Sequence, residues 1–156
     1  MKILISLLLV FSLNIFAVQE NEQQSAQDKC SVIVGANDTM LFDTKIMKIS
    51  KSCQNFSVTL THNGKGAKQE MGHNLVIAKV SDLEKIALEG STQGLENDYL
   101  MPNDQRIIAH TKMLEGGETD TIIFATNKFL ADEEYGYICT YRGHFILMRG
   151  KIEFVD

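Results

Sequence analysis

The sequence predicts an all-β fold, a Greek-key β-sandwich or barrel with one short inserted helix. Short apolar runs alternate with polar residues at period two, most clearly in Phe56-Ser57-Val58-Thr59-Leu60-Thr61. Turn signals recur between such runs, at Asn37-Asp38, Asn63-Gly64-Lys65-Gly66 and Gly116-Gly117. A single stretch, Ser81-Asp82-Leu83-Glu84, carries a helix start.

In chain order, Lys2 and the apolar residues 3–11, with the run ending near Ala17, read as a secretory signal over residues 1–17. The run is too short for a comfortable bilayer span. Residues 18–29 are polar and lack the apolar surface that would offset ordering, which predicts a flexible leader. The folded domain is expected over residues 30–156. Val32 and Val34 mark its first strand; Met40-Leu41-Phe42, Ile46-Met47-Lys48-Ile49 and the run at Phe56 mark the next. Gly72-His73 opens a strand over 73–80. Ser81 as N-cap and Glu84 three residues on form a capping box. With the apolar stripe Leu83, Ile86 and Ala87, this predicts a helix over about 82–92. Residues 95–105 form a loop with the only proline, Pro102. Ile107 and Ile108, then Ile122, Ile123 and Phe124, predict two strands. Tyr135-Gly136-Tyr137-Ile138-Cys139 leads into a loop, and Lys151-Ile152-Glu153-Phe154-Val155 closes the sheet. No internal repeat is evident.

The 156 residues suffice for one domain with a real core. The formal charge is -5, and removal of residues 1–17, whose one charged residue is Lys2, takes it to -6. That balance argues against nucleic-acid binding. Export would place the chain where disulfides persist, and its three cysteines leave one over. Should Cys30 and Cys53 pair, the closed loop would stabilise the fold by roughly 3 kcal/mol on the chain-entropy model. Cys139 would then be the odd thiol, needing a metal or burial to survive oxidation.

Cys139 heads a stretch in which a thiol, an imidazole and a thioether stand at offsets of five and then four: Cys139, His144 and Met148. Those are donors copper prefers, and two nitrogens, a thiolate and a weak axial thioether make a blue-copper electron-transfer site. Among His62, His73 and His110, the best second nitrogen is His73, in Met71-Gly72-His73-Asn74. Each residue alone has an ordinary reading. A lone cysteine behaves as a small buried hydrophobe, Met148 follows Phe145-Ile146-Leu147 as a core residue would, and His144 follows a glycine in a loop. The joint pattern favours copper. In a sandwich, strand ends at one pole meet, so His73 at the start of one strand, Cys139 at the end of another and Met148 before the last can converge.

The chain also resembles the azurins, bacterial type 1 copper proteins of cupredoxin fold. The matching residues are Cys30-Ser31-Val32, Lys51-Ser52-Cys53, Met71-Gly72-His73-Asn74, Asp98-Tyr99-Leu100, Ile108-Ala109-His110-Thr111-Lys112, Cys139-Thr140, Gly143-His144 and Leu147-Met148. The resemblance implies His73 and His144 as nitrogen ligands, Cys139 as thiolate, Met148 as distant axial thioether and the Gly72 carbonyl opposite it. It implies that Asn74 helps hold the cysteine loop, that Cys30 and Cys53 form a disulfide, and that His62 lies beside the copper. It further implies a periplasmic monomer that carries single electrons. Its partners would be redox proteins such as c-type cytochromes or copper or haem reductases, with no enzymatic activity and no membrane insertion. His144 is expected to present an exposed edge as the electron port.

Three departures stand out. Leu75 replaces the family's tryptophan, and the chain has no tryptophan at all. Tyr141-Arg142 replaces the phenylalanine-proline pair of the ligand loop, which predicts a looser clip because proline's fixed φ is lost. Gly66 and Glu70 stand where aliphatic residues are usual around the exposed histidine, which predicts more electrostatic docking. Two rival readings are a Cys139–His144 nucleophile pair, for which no orienting third group is evident, and copper storage or delivery without electron transfer.

Overall fold

The computed structural model describes residues 29–156, so the expected signal and nearly all of the expected leader lie outside the described residues. Period-two alternation builds the framework. In β4 (Asn55–His62), Phe56, Val58, Leu60 and His62 point into the core while the residues between them remain partly or fully exposed. β4 pairs in parallel with β1 (Ser31–Asn37), which pairs with β2 (Leu41–Phe42), and β7 (Thr119–Ala125) lies on its other side. The resulting sheet has the order β2-β1-β4-β7. The second sheet has the order β3-β9-β8-β5-β6, from β3 (Ile46–Ser50), β5 (Val76–Lys79), β6 (Ala109–His110), β8 (Tyr135–Ile138) and β9 (Arg149–Val155). Between the sheets lie fully buried Val34, Met47, Ile49, Val58, Leu60, Leu75 and Tyr137. Each such side chain contributes about 1.5–3 kcal/mol of transfer free energy. The sandwich architecture is the predicted one.

Two short helices interrupt it, α1 (Lys68–Met71) and α2 (Val80–Gly90). Leu83, Ile86 and Ala87 of α2 are buried with Val76, Ala78, Leu100 and Ile138. The expected capping box does not form. The helix starts two residues early, with Lys79 at the N-cap and no side-chain cap, so Ser81 falls inside the first turn. The chain runs straight from β5 into the helix, and the Val80 amide finds its acceptor across the sheet edge in the Glu134 carbonyl at 2.9 Å. Tertiary contact replaces the local cap.

The strand expected over 73–80 is also shorter. Among the described residues the His73 backbone pairs with Leu114 in an isolated bridge, through His73 N to Leu114 O at 3.1 Å and Leu114 N to His73 O at 2.8 Å. The Leu75 amide then donates to the Thr111 hydroxyl at 2.9 Å, so a side chain interrupts the ladder before β5 begins. The strand expected at Ile107 and Ile108 lies just beyond them, as the two-residue β6. Cys30 and Cys53 form a disulfide, Cα–Cα 5.7 Å, closing the start of β1 onto the approach to β4. No helix among the described residues is long and apolar enough to cross a membrane.

The sheet order decides where the site lies. β5, β8 and β9 are adjacent and antiparallel, so the start of β5, the end of β8 and the start of β9 share one edge. Val76, Ile138 and Arg149 stand side by side there. Cys139 follows Ile138, Met148 precedes Arg149, and the Cys139 amide donates to the Met148 carbonyl at 3.0 Å.

Candidate metal centre

At that edge the side chains of His73, Cys139 and His144 converge, with one donor atom from each lying within 4.8 Å of the others. Cys139 Sγ is 4.0 Å from His73 Nδ1 and 3.7 Å from His144 Nδ1, and the two Nδ1 atoms are 3.2 Å apart. Metal–imidazole bonds of about 2.0 Å and metal–thiolate bonds of about 2.3 Å, the values for zinc, at angles of about 109–120° separate nitrogens by about 3.3–3.5 Å and nitrogen from sulfur by about 3.5–3.7 Å. The triangle has the size that one small cation needs.

The donors are also presented in the right form. His73 Nε2 lies 2.9 Å from the Asn37 carbonyl, which can only accept. The ring proton of neutral His73 therefore sits on Nε2, and the Nδ1 lone pair faces the centre. Burial, followed by the nearby His62 and His144 imidazoles, lowers the His73 pKa to about 4. His144 is lowered to about 4 by burial first and His62 second. Burial pushes the Cys139 thiol up to about 12, opposed by the Asn74 and Tyr141 backbone amides that face the sulfur. By itself the donor set is neutral at pH 7. A soft or borderline cation fits these two lone pairs and a thiol that ionises on binding.

Local backbone sets each donor. Gly143 adopts φ +79°, the left-handed conformation that glycine favours, and starts the turn of 3-10 helix carrying His144. The His144 amide donates to Tyr141 O at 2.9 Å, and the Met148 amide to His144 O at 2.8 Å. Gly72 has no room for a side chain: a Cβ would lie 2.6 Å from the Lys68 carbonyl oxygen and 2.9 Å from Met113. Its own carbonyl oxygen is 4.0 Å from Cys139 Sγ. Met148 is fully buried in the same core cluster as Cys139.

Buried Asn74 stitches the cysteine loop to the rest. Its Nδ2 donates to Thr140 Oγ1 at 2.7 Å and to Asp98 O at 3.0 Å, and its Oδ1 accepts from Thr140 N at 2.8 Å. His62 is fully buried, with its ring edge-on to His73 at 4.3 Å between centroids and its Nε2 3.2 Å from Asp38 Oδ1. Its Nδ1 has no hydrogen-bond partner among the described residues, so the ring is only half satisfied there. His110 is exposed and outside the cluster, and Met113 is buried. The acidic run at 132–134 is exposed, with Glu133 paired to Lys79 at 2.7 Å.

Two expectations need correction. The His144 edge is buried rather than exposed, at 4% relative exposure, because the Tyr141 ring packs 4.5 Å from it. Solvent meets Ile146 and Leu147 instead. The loop at Tyr141-Arg142 is tied rather than loose: the Tyr141 hydroxyl donates to the Gln69 carbonyl, and Arg142 lies 5.6 Å over the Tyr99 ring.

Sequence reasoning missed several supporting groups. Asn37 and Asp38 read as turn residues, yet one orients His73 and the other holds His62 and the Lys65 and Gly66 amides. Thr111, Asp98 and Thr140 gave no signal as single residues. Their roles arise from contacts 24 to 66 positions away.

A two-sheet β-sandwich with a buried His-Cys-His triangle at the ends of adjacent strands defines a copper protein of the cupredoxin class. Comparison with known proteins agrees. The family described as copper binding proteins, plastocyanin/azurin family, matches residues 28–155. Azurin-1 of Alcaligenes xylosoxydans xylosoxydans is 47% identical over 128 residues, 82% of this chain and 99% of the relative. Azurin of Pseudomonas putida is 44% identical over 124 residues, 80% and 97% of the two chains. The solved azurin Az-iso2 of Methylomonas sp. strain J superposes with a TM-score of 0.78 at 38% identity, over 81% of this chain and 98% of that one. The chain belongs to the plastocyanin/azurin family of copper-binding proteins.

Proposed function

We propose that this protein is an exported one-electron carrier in which His73 Nδ1, Cys139 Sγ and His144 Nδ1 hold a single copper ion. Met148 would be its distant axial thioether and the Gly72 carbonyl the opposite contact. The observation that carries this reading is the convergence of the three donors at 3.2, 3.7 and 4.0 Å. Bound copper would supply the redox couple, Cu(II) to Cu(I) by one electron. The chain's own residues prepare the site. Asn37 fixes the His73 tautomer, Asn74 holds the cysteine loop, and the Asn74 and Tyr141 amides face the sulfur. Donors held by strand register move little, which keeps reorganisation between the two oxidation states small.

The partners would be redox proteins such as c-type cytochromes or copper or haem reductases, met in the periplasm by a monomer. Docking would occur over Ile146 and Leu147, 65% and 51% exposed beside His144. Arg142 and Arg149 flank these residues, both are exposed, and neither joins an ion pair among the described residues. On a chain of net charge -5 they favour a partner with an acidic rim.

The test is the visible spectrum of the mature domain after addition of Cu(II), beside Cys139→Ser. The expected result is an intense blue thiolate-to-copper band that bleaches on reduction and is missing from the variant. A colourless protein, or a faint band shared by the variant, would overturn the reading.

A further inference from the structure

We propose that Tyr141 is a positioning residue whose phenol latches the ligand loop to α1 and thereby fixes the His144 imidazole. Its ring lies 4.5 Å from the His144 ring at an interplanar angle of 38°. Its hydroxyl donates to the backbone carbonyl of Gln69, inside the helix that runs directly into Gly72 and His73. One side chain therefore touches both segments that carry the histidines. The azurin-like pattern has phenylalanine here, so the hydroxyl and its bond are a feature of this chain.

Arg142, in the place of the usual proline, completes the arrangement. Its guanidinium lies 5.6 Å over the Tyr99 ring, and Tyr99 packs edge-on against Tyr141 at 5.2 Å. Tyr99 is itself well anchored, 8% exposed, with its amide donating to Gly94 O at 2.9 Å. Proline stiffens a loop through its own φ. Here two side chains tie the loop to its neighbours instead, and the hydroxyl is the tie that reaches the other histidine's segment.

This deepens the electron-carrier reading, since it concerns the same His144, but the latch can be judged without metal. The test is Tyr141→Phe, which keeps the ring and deletes the bond. In the metal-free protein, amide hydrogen exchange at His144 and Met148 should quicken by about threefold to tenfold, the effect of losing one hydrogen bond from a locally opening unit. Amides of β4 should keep their rates. In the copper-loaded protein, loss of copper to a chelator should quicken by a similar factor. The double variant Tyr141→Phe/Arg142→Pro, which restores a stiff loop by the other route, should return both rates toward the starting values. Unchanged exchange in the single variant, a uniform rise that includes β4, or no rescue by proline would each overturn the latch. If no copper binds at all while the exchange effect is present, the latch stands and the electron-carrier reading falls.

Discussion

Asn74→Ala tests how much of the hold on the cysteine loop comes from the buried amide that bonds Thr140. Asn74 is fully buried and uses both amide protons and its oxygen: two donations, to Thr140 Oγ1 and Asp98 O, and one acceptance, from Thr140 N. Truncation leaves the Thr140 N–H without its partner in a buried setting. The Thr140 hydroxyl is less affected, because it already lies 3.2 Å from Asp98 O and can donate there. One stranded donor costs about 1–3 kcal/mol, and the lost contacts add a smaller cavity term. The expected destabilisation of the metal-free protein is about 2–4 kcal/mol. It is read from urea unfolding as a lower midpoint at unchanged slope. Asn74→Asp retains the acceptor for Thr140 N and should recover part of the loss at pH 7, less the cost of a buried charge. A loss under about 1 kcal/mol in the alanine variant, on the scale of a surface substitution, would show that the loop is held by other contacts.

The metal-free pKa shifts set how copper affinity depends on pH. Cys139 is a thiol near 12 and must lose its proton to bind, whereas His73 and His144 are already neutral above about 4. Protons compete with the cation, so affinity falls as pH falls: log K should change by about one per pH unit between 5 and 8, steepening toward three below about 4. A competition titration measures this, and a flat profile from 5 to 8 would refute the neutral-thiol state. Docking supplies the second test. The bimolecular electron-transfer rate with an acidic redox partner should drop about tenfold between low salt and 0.2 M, and Arg142→Glu or Arg149→Glu should lower the low-salt rate. A salt-independent rate would discard the arginine rim.

Most of the framework was legible because it follows from local pattern. The alternation at Phe56, Val58 and Leu60 is the buried face of β4, and the stripe Leu83, Ile86 and Ala87 is the buried face of α2. The helix start was misplaced because its orphan amide is satisfied by Glu134, a residue distant in sequence, so Ser81 had nothing to cap. The start of the His73 strand was misplaced because Thr111 intrudes into the ladder. The grouping of His73, Cys139 and His144 was legible because thiol and imidazole side chains are rare enough to stand out. Asn37 was not, since it acts through a backbone carbonyl that any residue would supply. The burial of His144 was misjudged for a related reason: sequence shows that Tyr141 is near it but not that the ring covers it.

The departures from the azurin-like pattern leave the donor triangle intact because backbone register sets His73 and Cys139, while the loop's own bonds and contacts hold His144. Leu75 stands in the place of a tryptophan, yet it is fully buried and its amide and carbonyl are both engaged with Thr111. Tyr141 and Arg142 replace a stiff pair, yet the His144 and Met148 amides keep their bonds within the loop. What positions Cys139 and Met148 is the Ile138–Arg149 pairing at the end of β8, and what positions His73 is its bridge to Leu114. Side chains around Cys139, Met148 and His73 can then vary without moving them, and their variation changes the covering of His144 and the charge around it. Selection on partner choice can therefore act through residues such as Arg142 and Glu70 while the metal geometry stays fixed by strands that those residues do not belong to.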